Sequence, residues 1–298
     1  MNELKLVGLD MDGTLLGKDR ILTQHTIDIM EKVAATGVHL VVDSGRKFEV
    51  VPKELRDLPF MRYFVLCNGA EIYDKWEDKV LYRAEIPFDT AMDIYDSLTS
   101  YPDVYLDCYH SNGSWARAED YARIDEFVED QSHRDVLRNT RTPVENMRSK
   151  LVARQKPVQK FQTIYKNTAI RDKEMERISA LYPQMGITSA YTYNLEVNVP
   201  DAAKGIGLLK LAELLGLERE QVIAFGDGEN DISMIKCAGI GYAMENAPVN
   251  VKEAADRIAP PNTEDGVAQV LAELFLSSPA GCTPKQYRDS KGLSIRVE

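Results

Sequence analysis

Two aspartates one residue apart, Asp10 and Asp12, follow the first apolar run of the chain. They belong to the string DMDGTL at residues 10–15, in which a glycine permits a tight turn. One carboxylate can attack phosphorus, while a second can protonate the leaving oxygen and later activate water. A bare pair of aspartates after a strand is more often ordinary turn chemistry. The prediction of catalysis therefore depends on the whole six-residue string DMDGTL.

Two other segments contain groups suited to holding a phosphate. Ser44 and Gly45 follow the run VHLVVD, where backbone N–H groups and a hydroxyl can bind a phosphate oxygen. Lys204 is the first residue of a predicted helix. A cation at a helix N-terminus is unfavourable unless carboxylates or phosphate lie nearby. Taken singly, these residues would be a helix cap and a surface lysine. Arg46 and Asn68 are further candidates for substrate contacts, although turn or cap roles explain them equally well.

An acidic string late in the chain suits a divalent cation. Residues 226–231 read GDGEND, after an apolar run and before a helix. Three acidic residues and one amide over so short a stretch favour a hard, oxygen-preferring ion such as Mg²⁺. The ligand spacing of a calcium-binding EF-hand is absent. A plain turn rich in aspartate and glycine is the remaining alternative.

The charges of these segments predict that they act together. Two unit charges about 4 Å apart near a protein surface interact by about 4 kcal/mol, so a cluster of aspartates would repel a dianionic phosphate. A divalent cation together with Lys204 would reverse the sign of the site. The sequence thus predicts Mg²⁺ as the cofactor. The aspartates concerned are Asp10, Asp12, Asp227 and Asp231.

Apolar strands alternating with helices must position these residues. The chain opens with LKLVGL, an amphipathic helix through Ile27, Met30 and Val33, and a second run, VHLVV. The same alternation returns in KGIGLLKLAELLG, VIAFGD and NDISMIKCAG. Continuous apolar strands predict a parallel sheet with helices on both faces and ligands at the carboxyl ends of its strands. We therefore expect an α/β core built from both ends of the chain.

The character of the sequence changes in residues 82–195, where helical stretches alternate with strand-like segments such as VYLDCY. This pattern predicts an α+β module inserted between core residues 1–81 and 196–276, and residues 277–298 read as a tail. Residues 134–160 contain eight basic and two acidic residues. That run is either an ordinary solvated face or a positive lid that attracts an anionic substrate.

Composition limits the partners. The 298 residues carry a formal net charge of -11, so the protein repels nucleic acid and anionic membranes at long range. No apolar stretch suits a signal peptide or a membrane span. The four cysteines form no CxxC pair, which favours reduced thiols. We expect a cytoplasmic enzyme that acts on a small phosphorylated metabolite, with no nucleic-acid or membrane partner.

In their order along the chain, these strings closely resemble the motifs of the Cof-type phosphatases, subfamily IIB of the haloacid dehalogenase superfamily. The resemblance covers nearly the whole chain and rests on DMDGTL, SGR, NGA, LEV before KG, AFGDGENDISMI, GYAMENA and EDGVA. It implies a Rossmann-like core with a doubly wound parallel sheet, and an inserted α+β cap that selects the leaving group. The segment VPDAAKG departs from the proline-glycine turn that often precedes the family's lysine.

The resemblance also implies a role for each residue. Asp10 would be the nucleophile, and Asp12 the general acid and base. Ser44 and Lys204 would hold the phosphate, with help from Asn230. The Mg²⁺ ligands would be Asp10, the Asp12 backbone carbonyl and Asp227, supported by Asp231.

The predicted function is hydrolysis of a phosphate monoester, such as a sugar phosphate, through an aspartyl-phosphate on Asp10. Two alternatives stay open at this point. Phosphomutases and phosphotransferases of this superfamily share the nucleophile, and release of free phosphate without an acceptor distinguishes hydrolysis from transfer. A regulator that only binds a phosphorylated ligand is the second alternative. The presence of Asp12 argues against it, because binding needs no general acid.

Overall fold

The protein is described by a computed structural model in which the chain forms two units. The core unit comprises Met1–Tyr82 and Ala203–Glu298, and the inserted unit comprises Arg83–Ala202. None of the described helices combines the length and the apolar character needed to cross a bilayer. The described residues are 3–111, 113–189, 192–200, 202–276, 287–288 and 294–295.

The first part of the core unit alternates strands and helices. Thr23 caps α1 because its hydroxyl accepts a hydrogen bond from the Thr26 N–H. Helix α1 buries Met30 and Val33 and packs against β2. The elements are β1 Leu6–Leu9, α1 Gln24–Ala34, β2 His39–Asp43, α2 Lys53–Arg56, β3 Tyr63–Leu66, β4 Glu71–Asp74 and β5 Lys79–Arg83.

The inserted unit is an α+β module. Its elements are α3 Phe88–Thr99, β6 Tyr105–His110, β7 Gly113–Arg117, α4 Ala118–Ala122, α5 Gln131–Thr140, β8 Thr142–Val144, α6 Met147–Arg154, β9 Lys160–Ile164, α7 Thr168–Leu181, β10 Gly186–Thr188 and β11 Asn194–Asn198. Its described strands form a sheet in the order β10-β11-β9-β6-β7-β8. Because β11 pairs with β9 in this sheet, the unit extends beyond residue 195, where we placed the end of the module.

The chain then completes the core unit. Its elements are α8 Lys204–Leu214, β12 Val222–Gly226, α9 Ile232–Cys237, β13 Ile240–Met244, α10 Val249–Ala254, β14 Arg257–Ala259 and α11 Gly266–Phe275. Most of the predicted tail, 277–298, lies outside the described residues. Its two described segments, β15 Tyr287–Arg288 and β16 Ser294–Ile295, pair antiparallel. Short 3-10 helices span Lys18–Arg20, Phe48–Val50, Ile124–Glu126, Arg219–Gln221, Glu229–Asp231 and Asn262–Glu264.

The described strands of the core unit form one sheet in the order β14-β13-β12-β1-β2-β3-β4-β5. All neighbours from β14 to β3 are parallel, and β4 is antiparallel to β3. Strand β1 pairs with β2 on one side and with β12 on the other, so the two ends of the sequence meet at the centre of the sheet. The predicted α/β fold with a parallel-sheet core is confirmed.

One face of this sheet packs against α8 and α9. Leu6 and Val41 belong to the same buried cluster as Leu208 of α8. A Cβ on Gly8 would lie 2.6 Å from Leu208 Cδ2, so the glycine leaves room for the Leu208 side chain against β1. Side chains alternate along a strand, so the residues two positions beyond Gly8 and Val41 project toward α8 as well. Those residues are Asp10 and Asp43.

The basic run 134–160 lies in the inserted unit and is largely neutralised there. Five of its eight basic residues form ion pairs with carboxylates outside the run. This pairing favours the interpretation as an ordinary charged face over that of a positive lid. The pairs join Arg134 and Arg138 to Asp125, Arg141 to Asp107, Arg148 to Asp96 and Lys160 to Glu196.

Candidate active site

Three turns and one helix start lie together at one edge of the core sheet. Asp10 follows β1, Ser44 follows β2 and Asp227 follows β12. These three strands are adjacent and parallel, so their carboxyl ends lie side by side. Lys204 is the first residue of α8, the helix that packs on one face of the core sheet. The fold therefore brings predicted residues from four distant segments together at this edge of the sheet.

Lys204 joins two of the predicted carboxylates. Its Nζ donates hydrogen bonds to Asp10 Oδ1 and Asp231 Oδ1, both at 2.5 Å. Lys204 and Asp231 are each 1% exposed, and Asp10 is 9% exposed. Although burial alone would lower the pKa of Lys204, the charges of Asp10, Asp231 and Asp43 raise it above its ordinary value. The lysine is therefore a fixed buried cation, which explains its position at a helix N-terminus.

Asp10, Asp227 and Asp231 could hold a metal ion. Each offers one carboxylate oxygen, and the three oxygens lie within 4.8 Å of one another. Asp227 is oriented by Thr14, whose Oγ1 donates to Asp227 Oδ1 at 2.8 Å. Gly13 has a φ of 85°, and a Cβ there would lie 2.2 Å from Asp227 Oδ2, so the turn requires glycine. The donor set consists of hard oxygens, which fits Mg²⁺.

Burial and mutual repulsion shift the pKa values of this acidic cluster. Burial, reinforced by the charges of Asp231 and Asp227, raises the pKa of Asp10 to about 8, although Lys204 opposes the shift. Burial likewise raises the pKa of Asp227 to about 6, against the hydrogen bond from Thr14. Without a bound cation, the cluster therefore keeps a proton near neutral pH.

Asp231 supports the turn that carries Asp227. Its Oδ2 accepts hydrogen bonds from the backbone N–H groups of Asp227 at 3.0 Å and Gly228 at 2.8 Å, while its Oδ1 accepts from Lys204. Both oxygens are thus engaged by the protein. Asn230, a predicted phosphate contact, is half-buried in the same 3-10 helix, Glu229–Asp231.

The carboxylate of Asp12 has different neighbours. Its Oδ2 accepts a hydrogen bond from Arg46 Nη2, and its Oδ1 lies 3.5 Å from Arg20 Nε. Among the described residues, its side chain is not part of the group of three carboxylates that could hold an ion. The roles expected of Asp12, a backbone carbonyl for the ion and a side chain for proton transfer, stay predictions.

The remaining predicted residues surround the loop after β2. Ser44 is buried, and its Oγ accepts a hydrogen bond from the Arg46 N–H at 3.2 Å. The Asn68 N–H donates to the Ser44 carbonyl at 3.0 Å. A Cβ on Gly45 would lie 2.7 Å from Asn68 Oδ1, so the asparagine packs directly against the loop. Arg46 and Asn68 thus both contact the segment predicted to bind phosphate.

Sequence reasoning missed three residues of this site. Thr14 lies in the string DMDGTL, which predicts no role for it, and its hydrogen bond to Asp227 spans 213 positions of the chain. No feature of the sequence distinguishes Arg20 from an ordinary surface arginine. Asp43 ends the apolar run VHLVVD, and an aspartate at the end of a buried strand was the one signal available. It is fully buried, and neither carboxylate oxygen has a hydrogen-bond partner among the described residues.

Comparison with known proteins places this site in a family. Residues 7–271 match the family model of haloacid dehalogenase-like hydrolases. The chain is 29% identical over 274 residues to the 5-amino-6-(5-phospho-D-ribitylamino)uracil phosphatase YcsE of Bacillus subtilis, covering 92% of this chain and 97% of that relative. It is 26% identical over 279 residues to the pyridoxal phosphate phosphatase YbhA of Escherichia coli, covering 90% and 97%.

A solved structure has the same fold. A haloacid dehalogenase-like hydrolase from Bacteroides thetaiotaomicron superposes with a TM-score of 0.77 at 26% identity, covering 92% of this chain and 100% of that one. The resemblance predicted from the order of the motifs is confirmed. The chain belongs to the family of haloacid dehalogenase-like hydrolases and is one of its phosphatases.

Proposed function

We propose that the protein is a Mg²⁺-dependent phosphatase that hydrolyses phosphate monoesters of small metabolites through an aspartyl-phosphate on Asp10. The observation that carries this proposal is the buried contact of Lys204 with Asp10 and Asp231, beside the group of three carboxylates that includes Asp227. The two relatives named above act on chemically different esters, which supports a small phosphorylated metabolite as the substrate. Sugar phosphates are the first substrates to test.

In the first half of the proposed reaction, Asp10 is the nucleophile. One of its carboxylate oxygens forms a bond to phosphorus while the bond from phosphorus to the leaving oxygen breaks. The carboxyl group of Asp12 donates its proton to that leaving oxygen. Lys204 orients Asp10 through its hydrogen bond and places a positive charge beside the phosphate. Ser44, with the backbone at Gly45, would hold a phosphate oxygen.

In the second half, water releases the phosphate. A water molecule attacks phosphorus, and the carboxylate of Asp12 accepts the proton that the water loses. The bond between phosphorus and the Asp10 oxygen breaks, which frees orthophosphate and restores the Asp10 carboxylate. Asp12 again carries the proton that the next ester needs. Both halves of the reaction therefore use the same two side chains.

The proposed metal site uses oxygens at the edge of the sheet. Mg²⁺ would be held by Asp10, the backbone carbonyl of Asp12 and Asp227, with Asp231 in support. When bound, it supplies positive charge that neutralises the phosphate and the surrounding carboxylates. Asn230, on the turn after Asp227, would assist phosphate binding.

Phosphate release tests this function directly. The purified protein is incubated with Mg²⁺ and a panel of phosphate esters, and inorganic phosphate is measured without any added acceptor, which also distinguishes hydrolysis from phosphoryl transfer. Asp10→Asn should lower turnover by at least about a thousandfold, because it removes the nucleophile. Asp28→Asn, an exposed aspartate on α1, serves as the control. Equal turnover by wild type and Asp10→Asn would overturn the proposal.

A further inference from the structure

Two asparagines from late in the chain hold the loop that follows β1. Asn246 Nδ2 donates a hydrogen bond to the Gly13 carbonyl at 2.8 Å, and Asn262 Nδ2 donates to the Leu16 carbonyl at 2.8 Å. The Asn262 N–H donates in turn to Asn246 Oδ1 at 3.1 Å. Asn246 belongs to the string GYAMENA, which has no role in the proposed function. These bonds tie that string to the loop of the proposed nucleophile.

The two partners of Asn246 fix the orientation of its amide. A backbone N–H can bond only to the side-chain oxygen, and a carbonyl only to the side-chain nitrogen. The amide therefore cannot turn over without losing both bonds. Because Asn246 is exposed, truncation of its side chain opens no cavity in the core. The effect of Asn246 on the loop can thus be separated from the stability of the fold.

The peptide held by Asn246 leads directly to a proposed metal ligand. Thr14 follows Gly13, and its Oγ1 donates to Asp227 Oδ1 at 2.8 Å. Gly13 lies against the same carboxylate, since a Cβ on Gly13 would be 2.2 Å from Asp227 Oδ2. Rotation of the peptide between Gly13 and Thr14 would therefore move the hydroxyl that orients Asp227. The hydrogen bond from Asn246 opposes this rotation because it holds the carbonyl of that peptide.

We propose that Asn246 is a positioning residue for the metal site, which acts through the Gly13 carbonyl and the Thr14 hydroxyl on Asp227. The inference rests on the proposed function, in which Asp227 is a ligand of Mg²⁺. Partners that orient a ligating carboxylate increase metal affinity, because the ligand then loses less freedom when the ion binds. Asn262 supports this arrangement through its bonds to Asn246 and to the Leu16 carbonyl.

Calorimetric titration of the substrate-free protein with Mg²⁺ at fixed pH measures this role apart from catalysis. Asn246→Ala should raise the Kd for Mg²⁺ about three- to tenfold, the effect of one hydrogen bond. The urea midpoint of the metal-free protein should stay nearly unchanged, because the residue is exposed. Asn250→Ala is the matched control, since this exposed asparagine donates to Glu229 Oε1 at 3.0 Å and should keep the wild-type Kd.

A double-mutant cycle tests the path from Asn246 to Asp227. Thr14→Val should itself raise the Kd for Mg²⁺, because it removes the hydrogen bond to Asp227. If Asn246 acts through that hydroxyl, Asn246→Ala should add little to the Kd in the Thr14→Val protein. Equal effects of Asn246→Ala in the two backgrounds would overturn the proposed path.

The titration also separates this inference from the proposed function. If Asn246→Ala binds Mg²⁺ as tightly as wild type, the positioning role is overturned and the phosphatase proposal stands. If wild type binds no Mg²⁺, the positioning role falls together with the proposed metal requirement, and phosphate release decides whether the phosphatase activity remains. If Asn246→Ala fails to fold, Asn246→Ser replaces it, because the shorter side chain cannot reach the Gly13 carbonyl from the same backbone position.

Discussion

Lys204 Nζ lies 2.5 Å from Asp10 Oδ1, although the two residues are 194 positions apart in the chain. The same nitrogen donates to Asp231 Oδ1 at 2.5 Å, so one buried cation contacts two buried acidic side chains. Lys204 is therefore needed for the charge balance of the folded core unit, apart from any part that it takes in binding phosphate.

Replacing Lys204 by methionine should lower the free energy of unfolding by about 3–5 kcal/mol, because it removes the counter-charge of the buried Asp231 carboxylate and the hydrogen-bond donor of Asp10. Chemical denaturation at neutral pH without Mg²⁺ measures this change. Lys210→Met, on the same helix, is the control, since its pair with Glu213 is exposed and is expected to contribute little to stability. Similar losses of stability in the two variants would show that the buried contacts of Lys204 contribute no more than an exposed ion pair does.

Binding of Mg²⁺ should release protons and strengthen as the pH rises. The pKa of Asp10 is about 8 without a cation, so at neutral pH an ion must displace a proton from this group. Affinity should therefore increase up to about pH 8 and then level off. Calorimetric titration in two buffers of different ionisation enthalpy counts the released protons, and Asp10→Asn should release fewer. An affinity that does not change between pH 6 and pH 8 would contradict the expectation.

Asp43 should make stability depend on pH. Burial raises its pKa well above the ordinary value, so the folded protein keeps a proton that the unfolded chain releases at about pH 4. The folded state therefore loses stability as the pH rises from that value toward the folded pKa. Asp43→Asn removes this loss, and its stability relative to wild type should grow by up to about 1.4 kcal/mol for each pH unit in that range.

Urea denaturation of wild type and Asp43→Asn at pH 5 and pH 8 measures the effect of Asp43. The exposed Asp28→Asn serves as the control, and its difference from wild type should stay constant with pH. A constant difference for Asp43→Asn as well would mean that the Asp43 carboxyl ionises normally in the folded protein.

The inserted unit contains a buried ion pair of its own. Arg141 Nε donates to Asp107 Oδ2 at 2.7 Å, and Arg141 Nη2 donates to the Tyr109 hydroxyl at 2.5 Å. Arg141→Met should destabilise this unit by about 3–5 kcal/mol, because Asp107 would stay buried without its partner. Hydrogen exchange of β6 amides measures the local opening. Arg148→Met removes an exposed pair with Asp96 and should change exchange little, and equal effects would contradict the prediction.

The fold and the family could be predicted from local patterns. DMDGTL, SGR and GDGEND each follow an apolar run, and neighbouring parallel strands present their carboxyl ends at one edge of a sheet. Convergence of Asp10, Ser44 and Asp227 follows from that geometry once the strands are recognised. The roles of these residues in catalysis remain predictions. Local patterns suffice for this much because strand periodicity and turn residues are properties of short segments.

Contacts between distant segments could not be predicted in the same way. The sequence does not indicate that Arg20 lies beside Asp12. It does not indicate that Asp43 has no hydrogen-bond partner among the described residues, or that the basic run 134–160 pairs with acidic residues elsewhere. The extent of the inserted unit also depended on such a contact, because β11 pairs with β9. A side chain's partner and its burial depend on the path of the whole chain, so only the folded structure shows which charges are balanced and which are not.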